Sequence, residues 1–222
     1  MNTQSTTSIA IVDFGMGNLH SVARALAHVS PKTRIEISAD PAVIHRAARV
    51  VFPGQGAMPD AMRSLAARPG LAEAVRDACG TKPTLGICLG EQMLLNESDE
   101  GADVHGAPTP GLGLVPGRVV RFDPARMKAA GNLKVPHMGW NRVHPTRPHP
   151  LWEGIEPGAF FYFVHSFHAE PTDPVNVAAT SVYGEAFTCA VTQNNMFATQ
   201  FHPEKSAASG LRLFRNFIHW RP

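Results

Sequence analysis

The sequence predicts an α/β fold: a mostly parallel central sheet with helices on both faces and an antiparallel strand layer beside it. Three observations carry this. Through Asn96, short apolar runs alternate with segments of helical periodicity. From Leu114 onward, strand-like runs follow one another and a single amphipathic helix closes the chain. Several strand ends in the first half run into glycine, as in Gly15 and Gly17 or Gly54 and Gly56. Strand–helix alternation builds a parallel sheet covered on both faces. In such sheets ligands sit beyond the carboxyl ends of the strands.

Taken in order, Ile9–Asp13 is an apolar run that reads as the first strand. Asn18–Val29 reads as a helix, because Leu19, Val22, Ala23, Leu26 and Val29 recur at three and four. Arg34–Ser38 fits a strand, Pro41–Ala48 a short helix, and Arg49–Phe52 a third strand ended by Pro53-Gly54-Gln55-Gly56. Helical patterns cover Met58–Ala67 and Leu71–Cys79. Thr84–Ile87 is a fourth strand that runs into Cys88 and a helix expected to reach Asn96. Ser98–Pro116, rich in Gly, Pro and acidic residues, reads as a loop. Strands are expected at Leu114–Phe122, Lys134–Val143, Phe160–His165, Asn176–Val182, Phe187–Thr192 and Phe197–Gln200, and a last helix at Ala207–Trp220. There is no internal repeat, and no linker divides the chain. We expect a polar tail over 1–8 and one domain over 9–222.

The bulk properties exclude several classes. Hydrophobic residues make up 44% and charged residues 17% of 222, which is ordinary globular composition. The 20 Lys and Arg are scattered and the formal charge is +2, so no nucleic-acid face is expected. Cys79, Cys88 and Cys189 are too few and too unpaired in spacing for a disulfide framework, which suits a reducing compartment. No apolar run nears the ~18 residues of a membrane span. The N-terminal MNTQSTTS lacks the basic and apolar regions of a signal peptide. A cytoplasmic soluble protein is expected.

Three segments carry chemistry. Gly86-Ile87-Cys88-Leu89-Gly90 has the Gly-x-nucleophile-x-Gly spacing of a strand-to-helix elbow, with sulfur as the nucleophile. A sharp turn needs small neighbours, and it lifts the thiol to a helix N-terminus, where a thiolate is favoured. The N–H of Leu89 would then face an oxyanion. The plain alternative is a small cysteine packed in a tight turn. Phe201-His202-Pro203-Glu204 follows an apolar strand. Residues two apart on extended chain share a side, so Glu204 could hold the imidazole of His202 as the acid of a triad does. The plain alternative is a surface histidine near a glutamate. Gly54-Gln55-Gly56 lets backbone approach a ligand and could give a second oxyanion donor, or could be a simple turn.

Together these segments resemble the class I, triad-type glutamine amidotransferases. Within that class they look more like the glutaminase subunits of imidazole glycerol phosphate synthases. The likeness runs from about Ile9 to Phe217. It is carried by Asp13-Phe14-Gly15-Met16-Gly17-Asn18-Leu19, Pro53 to Ala57, the cysteine elbow, Gly111 to Leu114, Pro136 to Asn141, Tyr162 to Ser166 and His202 to Ser206.

The resemblance implies a flavodoxin-like amidotransferase fold and hydrolysis of L-glutamine by Cys88, His202 and Glu204. It implies oxyanion donors at Leu89 and Gln55, and substrate contacts from Gly54, Gly56, Gln92, His165, Ser166 and Phe167. For Gln92, a residue serving only its own helix turn is the sober alternative. An oxyanion donor is worth about 2.7–4 kcal/mol, so one flipped peptide at Gln55 could hold the enzyme nearly off. The resemblance also implies a partner, a cyclase subunit with a (β/α)8 barrel, meeting Asn18, Met138, Trp140, Tyr162 and Lys205. Ammonia passed to it would give imidazole glycerol phosphate and an aminoimidazole carboxamide ribotide in histidine biosynthesis. For Trp140 alone, a buried core position is the alternative.

Other signals are set aside. Asp13-Phe14-Gly15 matches a kinase triplet without its companion loops. His165-x-x-His168 is expected to point to opposite faces of a strand, and no metal or cofactor is expected. Cys79 and Cys189 read as core thiols. Ala102–Pro108 looks inserted relative to the family, and Arg126–Asn132 looks variable. Two rival readings remain: another triad amidase of the same fold, or a regulatory subunit without catalysis.

Overall fold

A computed structural model describes residues 8–102 and 106–222. Its elements are β1 (Ser8–Val12), α1 (Leu19–Val29), β2 (Arg34–Ser38), α2 (Pro41–Arg46), β3 (Arg49–Gly54), α3 (Met58–Ala66), α4 (Leu71–Thr81), β4 (Thr84–Cys88) and α5 (Leu89–Gln92). Then follow β5 (Leu95–Ser98), β6 (Thr109–Pro110), β7 (Val115–Arg121), α6 (Pro124–Ala129), β8 (His137–Pro145), β9 (Ala159–His165), β10 (Phe167–Pro171), β11 (Val177–Tyr183), β12 (Glu185–Gln193), β13 (Met196–Thr199) and α7 (Ala207–His219). The polar tail lies outside the described residues except for Ser8, as do Asp103, Val104 and His105 of the apparent insertion.

One sheet runs in the order β2-β1-β3-β4-β13-β12-β10-β7-β5-β6. Its first five strands are parallel. From β13 through β7 the neighbours are antiparallel. β11 pairs with β12 and hands on to β8, which forms a ribbon with β9. The expected antiparallel layer is therefore this β11-β8-β9 branch, grown from the main sheet.

Apart from the edge strand β2, the parallel strands are mostly apolar on both faces because both faces are covered. Ile9 and Ile11 of β1 join a core with α1, α7 and the β8–β9 ribbon. Ala10 and Val12, one residue out of step, join a second core with α3, α4 and α5. The helices start where the sequence supplies donors and acceptors. Asp40 accepts Ala42 N–H at 2.8 Å with Pro41 in the first turn, so α2 begins there. Lys82 then donates to the carbonyls of His45 (2.7 Å) and Ala47 (3.0 Å), tying the end of α2 to the sheet. Among the described residues no helix is long and apolar enough to cross a membrane.

One expectation is corrected. The helix after Cys88 does not reach Asn96: it ends at Gln92, and Leu95–Ser98 is a strand. The segment 112–115 donates to the carbonyls of Met93, Leu94 and Leu95 at 2.8–3.0 Å, so the chain here is held in strand pairing with β7. A Cβ on Gly111 would lie 2.2 Å from the Leu95 carbonyl oxygen, so only glycine permits this approach. The stretch after Phe122 carries α6. Asp123 caps α6 by accepting Ala125 N–H at 2.8 Å.

Candidate active site

Cys88 closes β4 with φ 56° and ψ −112°, a left-handed backbone that the surroundings enforce. The two glycines of the elbow are there for space. A Cβ on Gly90 would sit 1.8 Å from the Phe52 carbonyl oxygen, and one on Gly86 would sit 2.8 Å from Ala198 Cβ. α5 therefore rides directly on β3, and the parallel register sets Gly54 beside Cys88. The thiol is 7% exposed and opens into a cavity of about 670 Å³, a size suited to a small ligand. α5 is a single turn, so its dipole is weaker than that of a helix reaching Asn96.

His202 follows β13, the strand next to β4. Its Nδ1 lies 2.9 Å from Glu204 Oε1. The expected pairing is present but its cause differs: residues 203–205 form a 3-10 turn, and it is that turn that brings the carboxylate back to the ring. The turn is clamped on both sides. His202 N–H donates to Tyr162 O at 2.9 Å. Ser206 Oγ donates to His202 O at 2.6 Å and accepts Tyr162 N–H at 3.0 Å.

His202 Nε2 is buried without a nitrogen or oxygen partner and is turned toward the Cys88 thiol. Burial pulls the imidazole pKa down, but the Cys88 thiolate outweighs burial by charge and hydrogen bond. Glu204 adds to this, and the result is raised to about 10. Stability linked to that proton is fully present below the unfolded value near 6.5 and is lost as pH rises toward 10. We expect the unfolding free energy to decline between pH 7 and 10. Glu204→Gln should lower the His202 pKa, seen by histidine NMR, and flatten that decline in denaturant titrations. An unchanged titration would separate Glu204 from His202.

The other sequence-predicted residues divide. Gln55, Gly56, Leu89, Gln92, His165, Ser166 and Phe167 line the cavity. Gly56 has φ +101°, and Gly54 is buried against Leu89 and Gly90, beneath the cavity wall. Gln92 does more than serve its own helix turn: its Nε2 donates to Phe167 O at 3.1 Å and Gln200 Oε1 at 2.8 Å. Met138 and Trp140 are 63% and 52% exposed, so Trp140 is not a core residue. Its ring meets Tyr162 at 6.2 Å, and Lys205 Nζ lies 5.5 Å above the same Tyr162 ring. Lys205 also lines the cavity, while Asn18 is exposed at the start of α1. The expectation for His165 and His168 is corrected. The chain breaks at Ser166 between β9 and β10, so both imidazoles pack on Phe122, at 5.2 and 4.9 Å between ring centres.

Sequence reasoning missed three residues. Gln200 is fully buried and its Nε2 points at Cys88 Sγ, 3.7 Å away. Glu91 is fully buried with both oxygens unpartnered, and burial, with Cys88 second, pushes its pKa well up. Glu100 lines the cavity and accepts Met58 N–H at 2.8 Å, capping α3. Gln200 and Glu100 reach the site through contacts distant in sequence, whereas Glu91 lies three residues from Cys88 in α5. Cys79 is a core thiol: burial, slightly offset by a hydrogen bond with Thr84, pushes its pKa up to about 12.

Comparison with known proteins assigns this arrangement to a class. The family model described as glutamine amidotransferase class-I matches residues 10–220. The chain belongs to that family. Among individual relatives, it is 56% identical over 218 residues to a protein of Aromatoleum aromaticum named imidazole glycerol phosphate synthase subunit HisH, covering 97% of this chain and 100% of that one. It is 53% identical over 222 residues to the protein of that name from Dechloromonas aromatica, covering 99% and 100%. The crystal structure of a putative GMP synthase component from Thermoplasma acidophilum superposes with TM-score 0.69 at 21% identity, over 97% of this chain and 94% of that one, which shows the shared fold.

Proposed function

We propose that this chain is the glutaminase subunit of an imidazole glycerol phosphate synthase. The observation that carries the chemistry is the convergence of a strained thiol and a carboxylate-held imidazole on one small cavity. The Cys88 thiolate attacks the side-chain carbonyl carbon of glutamine and an S–C bond forms. The Leu89 N–H, in the first turn of α5 and so without an intrahelical acceptor, and the Gln55 N–H hold the oxyanion. The C–N bond breaks as His202 Nε2 gives its proton to the departing ammonia. Water, deprotonated by the same nitrogen, attacks the thioester, and glutamate and the thiolate leave. Glu204 holds the imidazole in place. Gln92 and Glu100 suit the ammonium group of the substrate, and the backbone of His165–Phe167 suits its carboxylate. A reducing cytoplasm suits such a nucleophile and the three free cysteines.

The ribbon formed by β8 and β9 supports the second part of the reading. Met138 and Trp140 project from its outer face beside Tyr162, and Val164 and Lys205 continue that face into the cavity rim. Exposed large apolar side chains grouped in this way mark a docking surface. Ammonia released at Cys88 passes to a cyclase subunit with a (β/α)8 barrel, which forms imidazole glycerol phosphate and an aminoimidazole carboxamide ribotide. The test is glutamate release by the purified chain, alone and with the cyclase subunit plus its nucleotide ligand. Strong stimulation is expected. Full activity without a partner favours a free hydrolase of the same fold, and no activity in any condition favours a silent regulatory subunit.

A further inference from the structure

Behind the exposed face of the ribbon runs a chain of hydrogen bonds that reaches the thiol. β8 and β9 alternate, so Met138 and Trp140 face out while His137 and Asn141 face in. His137 and His165 are direct cross-strand partners, and both are buried. His137 Nδ1 lies 2.9 Å from His165 Nε2, and His165 Nδ1 lies 2.8 Å from Phe167 O. Asn141 Nδ2 lies 3.3 Å from His137 Nε2 and 2.8 Å from Val182 O.

Every role in this chain is fixed by its end. The Phe167 carbonyl only accepts, so His165 Nδ1 carries the proton. Burial lowers the pKa of His165 to about 3 and of His137 to about 4, so both rings are neutral. The Nε2 atom of His165 must then accept, so His137 Nδ1 donates. The Nε2 atom of His137 accepts in turn, from one hydrogen of the Asn141 amide; the other goes to Val182 O. The same Phe167 carbonyl also accepts from Gln92, Gln92 donates to Gln200, and Gln200 Nε2 lies 3.7 Å from Cys88 Sγ. Rings also brace the chain: His137 stacks on Tyr183 at 4.1 Å and on Phe163 at 4.9 Å.

We propose that Asn141 and His137 are positioning residues for glutamine hydrolysis, forming with His165 a proton-ordered strut that carries the docked state of the β8–β9 face to the cavity wall at 165–167 and to the Gln92–Gln200 pair beside Cys88. This rests on reading the outer face of the ribbon as the docking surface. A partner seated on Met138 and Trp140 holds β8 and β9 in register, and the strut transmits that order inward. Without the strut the two ends are coupled only through packing.

Asn141→Asp tests this with almost no change in shape. It places a carboxylate against two acceptors, so His137 must protonate Nε2. The imidazole then either becomes charged or turns its Nδ1 into an acceptor facing His165 Nε2. Asn141→Ala, which removes both donors without adding charge, is the second variant. In the wild type, 15N NMR of the isolated chain should show His137 and His165 as neutral rings protonated on Nδ1. Both variants should change the His137 signature and cut the stimulation of glutaminase by the cyclase subunit by about fivefold or more, through kcat rather than KM. Wild-type tautomers of any other kind overturn the strut. So do variants that fold and are stimulated like the wild type. A wild type that the cyclase subunit does not stimulate overturns the docking reading itself and the strut with it.

Discussion

Replacing Cys88 with alanine is expected to lower glutamine hydrolysis by about six orders of magnitude, the loss seen when a triad nucleophile is removed. The structure makes this a clean experiment. The thiol borders the cavity, and its side-chain partners are the long contact from Gln200 and the His202 imidazole, so little packing is lost. Alanine also retains the Cβ that the elbow already accommodates. What disappears is the atom that forms the thioester, and with it the charge that raises His202. The His202 pKa, near 10 with the thiolate beside it, should therefore fall in the variant, and NMR titration reads this independently of turnover. Synthesis from added ammonia by the proposed complex should survive, because that reading puts the cyclase chemistry on the partner. A Cys88→Ala protein that still releases glutamate at the wild-type rate would remove the mechanism altogether.

The second large effect concerns fold more than chemistry. Gly90→Ala should destabilise the protein by at least about 3 kcal/mol and abolish most glutaminase activity in the fraction that remains folded. The new Cβ would lie 1.8 Å from the Phe52 carbonyl oxygen and 2.9 Å from its carbon. Both atoms belong to β3, a central strand paired on both sides and unable to yield. α5 must lift instead, and it carries Leu89 and the position of Cys88 with it. Gly80→Ala is the matched control. Nothing lies within 4 Å of its added Cβ, and the residue sits in α4, so it should be neutral or stabilise by up to about 1 kcal/mol. Denaturant unfolding of the two variants, side by side, distinguishes a steric glycine from a permissive one. Equal stability would mean that the elbow tolerates a side chain after all.

Much of this was written locally. The elbow was legible because Gly86, Cys88 and Gly90 must stand at fixed spacing for a strand to turn sharply into a helix. The parallel half was legible because Ile9 to Val12, Arg49 to Phe52 and Thr84 to Ile87 are buried along their length and mostly apolar, as strands covered on both faces must be. His202 and Glu204 were legible as a pair even though the backbone reason was a 3-10 turn and not an extended strand.

The rest depended on segments that meet only in the folded chain. The helix after Cys88 stops at Gln92, and the carbonyls that follow accept from residues 112–115, a pairing that no window around Cys88 contains. Gln200 touches the thiol from 112 residues away, and Gln92 meets Gln200 across 108. The tautomers of His137 and His165 are set by a carbonyl at Phe167 and an amide at Asn141, across the register of two strands. By itself, then, the sequence determined the elbow at Cys88 and the imidazole–carboxylate pair, because short-range sterics and spacing govern them. Only the tertiary structure decided which buried polar groups surround that thiol and how they connect to the surface, because a buried donor must find its acceptor wherever packing brings one.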